Sequence, residues 1–213
     1  MTTKKTIRPK DGYHHGDLGK ALVAAVRRLI ERDGPANFSI SEACKMAGVS
    51  TAAPYKHFAD KQDILNHAAR SGFEDLTQAM AVASAERSQG QVHVITQMGK
   101  AYVRFALDHP GTFRLMFGSS PNVKDDPTVN ATGHTCFSTL IQEVGNHLGP
   151  GSSDAQAKQL AILLWTFVHG AASLAIDKDY DAADIPVDVE ALVEQASRQL
   201  LARHDQVLGP PDG

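Results

Sequence analysis

Apolar residues recur every three or four positions along almost the whole chain. No segment sustains the strict alternation of a half-buried strand, so the pattern predicts an all-α protein. Leu18, Leu22, Ala25 and Leu29 mark a first helix from about Asp17, its N-cap, to Asp33, where Gly34-Pro35 ends it. Ser39-Ile40-Ser41-Glu42 has the form of a capping box and opens a short helix to about Ala47. Gly48 supplies a left-handed turn and Val49 the apolar contact behind it, and a third helix is expected to about Phe58. Pro54 decides where that helix starts. With Thr51 as cap, the missing Pro54 N–H falls among amides that are unpaired anyway; with Ser50 as cap, a backbone bond is lost.

Asp60 caps a longer fourth helix, to about Ser84, with Leu65, Ala68, Gly72, Leu76, Ala79 and Ala83 on one face. Ile95, Met98, Tyr102 and Phe105 form the next stripe, which stops at His109-Pro110, and Thr112 to Phe117 make a short apolar turn. Ser119 to Asp126 reads as a polar loop. Phe137, Leu140, Val144 and Leu148 mark a helix ending at Gly149-Pro150-Gly151. Asp154 to about Ile176 is apolar almost all round between Leu160 and Leu174, which predicts burial on more than one side. After an acidic loop, a last helix is expected from Pro186, with Val189, Leu192, Val193, Ala196 and Leu200 inward and Gly209 to Gly213 as a frayed tail.

Composition changes this picture little, but charge changes it more. At 42% hydrophobic and 21% charged, the 213 residues have the make-up of an ordinary globular chain of one or two small domains. No run reaches the roughly 18 consecutive apolar residues of a membrane span, and Met1 to Lys10 is basic with no apolar signal core behind it, so a cytoplasmic location with no membrane partner is expected. Cys44 and Cys136 are too few for a disulfide framework or a four-ligand zinc site and are expected as buried small hydrophobes. The net charge of −3 is unevenly spread. Residues 1–61 hold 11 Lys and Arg against 6 Asp and Glu, while residues 62–213 hold 10 against 18. A basic segment joined to an acidic body suggests that the first meets a polyanion and the second does not.

The segment Ser39 to Phe58 has the length and turn chemistry of a helix-turn-helix, whose second helix enters the DNA major groove. Its residues, Ser39-Ile40-Ser41-Glu42-Ala43-Cys44-Lys45-Met46-Ala47-Gly48-Val49-Ser50 and then Tyr55-Lys56-His57-Phe58-Ala59-Asp60-Lys61-Gln62-Asp63-Ile64-Leu65, resemble the signature of TetR-family transcriptional regulators. Tyr13-His14-His15-Gly16-Asp17-Leu18, together with Trp165 and His169-Gly170, is similar to the branch with the so-called WHG C-terminal domain. Ala101 to Phe105, His109-Pro110 and Phe113 to Phe117 resemble the same branch, so the likeness spans residues 13 to about 176.

The resemblance implies a homodimer of all-α chains. Residues 1–60 would form a three-helix DNA-binding domain and residues 61–213 an effector-binding and dimerisation domain. Thr51, Ala52, Tyr55 and Lys56 would face the groove, Tyr55, His57 and Lys61 would hold phosphates, and Ser41 and Lys45 would lie near the backbone. The operator would be a palindrome of double-stranded DNA, and the protein a repressor that a small molecule releases. Met98, Tyr102, Phe105, Phe113, Met116, Phe117, Phe137, Trp165 and His169 cluster as a candidate apolar effector pocket. No cofactor or metal is expected: His14-His15 has no further ligands at a recognisable spacing. Without a nucleophile-base arrangement or a phosphate-cradling glycine loop, catalysis is not expected either. The rival readings are an all-α small-molecule enzyme and a helical protein-protein adaptor, neither of which would bind DNA specifically.

Overall fold

The computed structural model describes residues 15–118, 121–182, 184 and 186–207, and every regular element among them is helical. The helices are α1 (His15–Asp33), α2 (Ile40–Ala47), α3 (Lys61–Ala83), α4 (Gln91–Asp108), α5 (Pro110–Phe117), α6 (Pro121–Lys124), α7 (Pro127–Leu148), α8 (Asp154–Ile176), α9 (Asp179–Ala182) and α10 (Val189–Val207). Between α2 and α3 lies a single 3-10 turn, Pro54–Lys56. The long α3 is the axis of the molecule: α1 packs on its N-terminal part, and α4, α5 and α7 surround the rest. One buried cluster runs without a break from Val26, Phe38 and Cys44 through Ile64, Leu76 and Met80 to Tyr102, Met116 and Val168. A smaller cluster of Ile95, Val144, Leu160, Leu164 and Leu201 closes the far end between α4, α7, α8 and α10.

Several boundaries differ from the sequence pattern, each for a local reason. Helix α1 starts at His15, not Asp17, whose side chain lies outside the described residues, as do Tyr13, His14 and the 209–213 tail. Ser39 does cap α2, accepting from the Glu42 amide at 3.4 Å. The reverse arm of the capping box is replaced, since Glu42 Oε1 accepts from Arg32 of α1 at 2.9 Å. Helix α7 begins at Pro127, ten residues before the Phe137 stripe, because Asp126 Oδ1 accepts from the amides of Thr128 and Val129 and Pro127 fills the first turn. Helix α10 starts after Pro186, at Val189, with Asp188 Oδ1 accepting from the Ala191 amide at 3.0 Å. Both cysteines are free and buried, as expected.

The Glu31 carboxylate joins the N-terminal helices to the body. The N-terminus of α5 has no side-chain cap of its own. Glu31 of α1 serves instead, accepting from the Gly111 amide at 2.7 Å, the Thr112 amide at 2.9 Å and the Thr112 hydroxyl at 2.6 Å. A carboxylate satisfies the otherwise unpaired first-turn amides and complements the positive end of the helix dipole. Gly111 permits this approach: a Cβ there would sit 2.5 Å from the Ile30 carbonyl oxygen.

A second polar anchor holds the turn between α3 and α4 onto α7. The Glu143 carboxylate, buried on α7, accepts from both Arg87 guanidinium nitrogens at 3.0 and 2.6 Å, from Gln91 at 2.7 Å and from Asn146 at 3.2 Å. The hydrogen-bonded Arg87 is the main reason that its pKa is held down, to about 2. A depressed carboxylate contributes stability that is complete above its ordinary pKa, near 4.5, and is lost as pH falls from there towards 2. Glu143→Gln is therefore expected to cost about 2 kcal/mol at pH 7, discounted for the exposure of Arg87. The gap between wild type and variant in urea titrations should close between pH 4.5 and 2.5. An equal gap at both ends would mean that the charge is not what holds the anchor.

Among the described residues one helix, α8, is long and apolar enough to cross a membrane by length and composition. Its residues interrupt any strict apolar run, with Thr166, His169 and Ser173 among them. Leu160, Ala161, Leu164, Val168 and Ala172 bury its inner side against the body. On the opposite side Ile162, Leu163 and Leu174 are 49%, 50% and 42% exposed, and a Cβ on Gly170 would meet open space.

Candidate functional site

The hairpin of α2 and the following turn is built on α1. Ala43 and Cys44 insert into the cluster formed by Val26, Ile30, Phe38 and Phe58, and the Arg32–Glu42 pair ties the outer edge. Gly48 takes the left-handed conformation, φ 69°, and the Val49 amide donates back to the Cys44 carbonyl at 2.9 Å, closing α2 as the sequence pattern predicts.

The expected third helix from Thr51 to Phe58 is not an α-helix. Pro54 has no amide to donate to Ser50, and the backbone instead makes successive three-residue bonds: Ala53 to Ser50, Lys56 to Ala53 and His57 to Pro54. The first four-residue bond is Phe58 to Pro54, at 2.9 Å. Neither Ser50 nor Thr51 caps the turn with its side chain; its N-cap residue is Ala53. Pro54 itself is buried, so the ring anchors the turn while its neighbours face out.

Seven of the eight residues named for DNA, Ser41, Lys45, Thr51, Ala52, Tyr55, Lys56 and Lys61, are exposed, and His57 is half-buried. Tyr55 stands out as a large aromatic at 63% exposure. Lys61 is less free than the sequence suggests, because its ammonium lies 4.5 Å above the Phe38 ring in a cation-π contact. Met46, 45% exposed near the end of α2, is an apolar contact surface that the charge pattern gave no reason to single out.

The body holds a cavity of about 690 Å³. Of the residues proposed for a pocket, Tyr102, Met116, Phe117, Phe137, Trp165 and His169 line it. Met98, Phe105 and Phe113 are buried but do not. Phe113 stands behind the wall with its ring stacked 5.3 Å from His169, Phe105 packs against His109, and Met98 borders a small void of about 30 Å³. The opposite wall comes from helices whose pattern did not announce it: Phe73, Leu76 and Met80 from α3, Lys124 from α6, and Asn130, Gly133, His134 and Cys136 from α7.

At one side of the cavity three polar groups form a chain. Trp165 Nε1 donates to the Tyr102 hydroxyl at 3.3 Å, and that hydroxyl is 2.8 Å from His169 Nδ1. The short contact ties the imidazole to the Tyr102 hydroxyl through Nδ1 and leaves Nε2 as its second polar atom. Burial, with the nearby Lys124 charge, lowers the His169 pKa and keeps the ring neutral at pH 7. Burial likewise pushes the Tyr102 phenol well above its ordinary range. Phe113, Phe117 and Trp165 surround the imidazole, so its position is fixed by packing as well as by the hydrogen bond. Among the described residues no group of three His, Cys, Asp or Glu is placed to hold a metal ion.

An exposed two-element hairpin at one end of a helical body and an apolar cavity inside that body define the architecture of a tetracycline-repressor-like regulator. Residues 22–68 match the family described as bacterial regulatory proteins, tetR family, and residues 95–200 match the tetracyclin repressor-like C-terminal domain. A solved protein of unknown function from Rhodococcus sp. RHA1 is 31% identical, with a TM-score of 0.75 over 91% of this chain and 98% of that one. A tetR-family transcriptional regulator from Streptomyces coelicolor shares the fold at 19% identity and a TM-score of 0.72, over 91% of this chain and 86% of the other. A TetR protein from Acinetobacter baumannii AYE, in complex with minocycline, does so at 16% identity and a TM-score of 0.60, over 87% and 95%. No curated protein sequence matches the chain. The chain belongs to the TetR family of transcriptional regulators.

Proposed function

We propose that the protein is a ligand-responsive repressor that binds a palindromic operator as a homodimer and releases it when a small molecule occupies the cavity. Residues 1–60 are the DNA-binding part and residues 61–213 the effector and dimerisation part, and Trp165, His169 and Gly170 on α8 favour the WHG-type branch. The observation that carries this reading is the physical linkage of the two parts. Helix α3 begins beside the hairpin at Lys61 and forms a cavity wall with Phe73, Leu76 and Met80. Helix α5, which contributes Met116 and Phe117 to the cavity, is held to α1 by Glu31. A ligand that prefers one arrangement of α3 and α5 would therefore bias where the hairpin stands; a coupling of about 1–3 kcal/mol changes operator affinity roughly 5–150-fold. The minocycline complex of the Acinetobacter relative supports a small molecule in such a body.

The exposed apolar face of α8, with α10 beside it, is the proposed dimer surface. Two such helices from each partner would make a four-helix interface.

Selection of bound fragments from genomic DNA, followed by titration at several salt concentrations, tests the DNA-binding reading. Affinity for the selected site should fall with a log–log slope of about −0.9 per phosphate contact. Tyr55→Ala should weaken binding to every sequence, and Lys61→Ala should do so more mildly, since part of its charge already faces Phe38. Replacement of Thr51 or Lys56 should change the ranking of sequences. Equal affinity for selected and random DNA would defeat the assignment.

A further inference from the structure

The cavity lining is chemically one-sided. Its sixteen described residues include no Asp or Glu, and Lys124 is the one Lys or Arg among them, beside a His169 ring that is neutral at pH 7. Among the described residues Lys124 makes no ion pair, in contrast to Arg27, Arg87, Lys100, Arg104 and Arg114, which all have carboxylate partners. The neighbouring carboxylates in sequence do not neutralise it. Asp125 is outside the lining, and Asp126 is engaged by Thr128, by the Val129 amide and by Asn66 at 2.8 Å. The polar chain adds no carboxylate: Trp165 gives its proton to the Tyr102 hydroxyl, which shares a hydrogen bond with His169 Nδ1. The other lining groups are aromatic, aliphatic or sulfur-bearing, including Phe73, Met80, Met116 and Phe137, apart from the uncharged amide of Asn130 and the imidazole of His134.

Such a lining discriminates by charge before it discriminates by shape. A cation would enter a site that already holds an ammonium and offers no carboxylate to pair with. An anion finds an unpaired ammonium, and it leaves its apolar part in a space of drug-sized volume. Resting on the reading of this cavity as the effector site, we infer that its ligand is an organic carboxylate with an apolar aromatic or aliphatic body, the carboxylate held by Lys124 and the body packed among Phe73, Met80, Phe137 and Trp165. The assignment gives Lys124, at the end of the single-turn α6, the role of selecting the sign of the ligand's charge.

Two matched series test it on the intact protein by titration calorimetry: biphenyl-4-acetate with its primary amide and 2-(biphenyl-4-yl)ethylamine, and decanoate with decanamide and decylamine. Trp165 is the only tryptophan of the chain and lines the cavity, so a change in its emission on addition locates binding there. In at least one series the carboxylate should bind 10-fold or more tighter than its amide, with the amine weakest. Lys124→Met, an exposed position where an apolar chain of similar length is tolerated, should bring carboxylate affinity down to that of the amide and leave the amide unchanged. Lys124→Glu should reverse the order of carboxylate and amine. The inference is overturned if amide or amine equals the carboxylate in both series. It fails equally if Lys124→Met leaves the carboxylate unaffected, or if no compound binds at millimolar concentration. Operator binding by the ligand-free wild type is measured beside these titrations, and its absence would remove the repressor reading while leaving the ligand selectivity intact.

Discussion

Leu163→Arg is expected to leave the protein monomeric at micromolar concentration and to weaken operator binding by about 100-fold or more. Leu163 is half exposed on the outer face of α8, between Ile162 and the turn that carries Gly170 and Leu174, so the substitution disturbs none of the buried clusters. In a dimer packed through that face, a guanidinium would be buried without a partner, and an uncompensated buried charge costs about 3–5 kcal/mol. Two-fold symmetry places the substitution in the interface twice. Loss of the dimer separates the two hairpins that a palindrome requires, so DNA affinity falls although no DNA-facing residue has changed. Leu200 is a poorer choice for the same test, since it packs against the cluster of Ile95, Val144 and Leu201 and its loss would confuse folding with association. Sedimentation that shows an undiminished dimer of Leu163→Arg would place the interface elsewhere.

Gly111→Ala should lower stability by about 2–4 kcal/mol, a large effect for one methyl group. The added carbon would come within 2.5 Å of the Ile30 carbonyl oxygen and 2.9 Å of the Glu31 Cα, both backbone atoms of α1 that no side-chain rotation can move away. Relief requires α1 and α5 to part, and their parting lengthens the bonds from the Gly111 and Thr112 amides to Glu31. Glu31→Ala removes the same cap without the steric push and is expected to cost about 1–2 kcal/mol, in the range of lost N-caps and dipole interactions. Because both changes break one contact, their combination should cost less than the sum. Denaturant titrations at fixed protein concentration measure all three, the concentration being held because the proposed dimerisation would contribute to apparent stability. Strict additivity would show that the carboxylate and the glycine do not act as one unit.

The helical class and most element ends were legible in the sequence because they rest on local signals. Gly48, Asp60, the His109-Pro110 step and the Gly149-Pro150-Gly151 break each act within one turn of their own position, and the structure has helix ends at all of them. Less legible was whatever depends on distant partners. Nothing around Glu31 suggests that it caps a helix 80 residues further on. The N-terminal half of α7, Thr128 to Thr135, shows no continuous apolar stripe because it contributes Asn130, Gly133 and His134 to a cavity instead of filling a core, although Asp126-Pro127 does announce its start. Aromatic clustering indicated the region of the cavity but not its wall, so Phe113 and Met98 were grouped with Phe117 and Trp165 despite lying behind it. Pro54 reads in the sequence only as a limit on where an α-helix begins, whereas the turn that holds it is 3-10.

In the proposed DNA complex that 3-10 turn would limit how much base sequence one protomer can inspect. Three residues rising about 2 Å each span some 6 Å, less than two base-pair steps of about 3.4 Å. There Thr51 and Ala52 before the turn and Tyr55 and Lys56 within it would touch only a short stretch of the major groove, and three of those four side chains lack a charged or amide donor for base edges. The letters read by each hairpin would therefore carry little information, and the separation of the two half-sites, set by the distance between hairpins in the proposed dimer, would carry much of the rest. Inserting one base pair between the half-sites should accordingly harm recognition more than changing a base within either of them, and a promoter would gain or lose this regulator more readily by insertion or deletion than by point substitution.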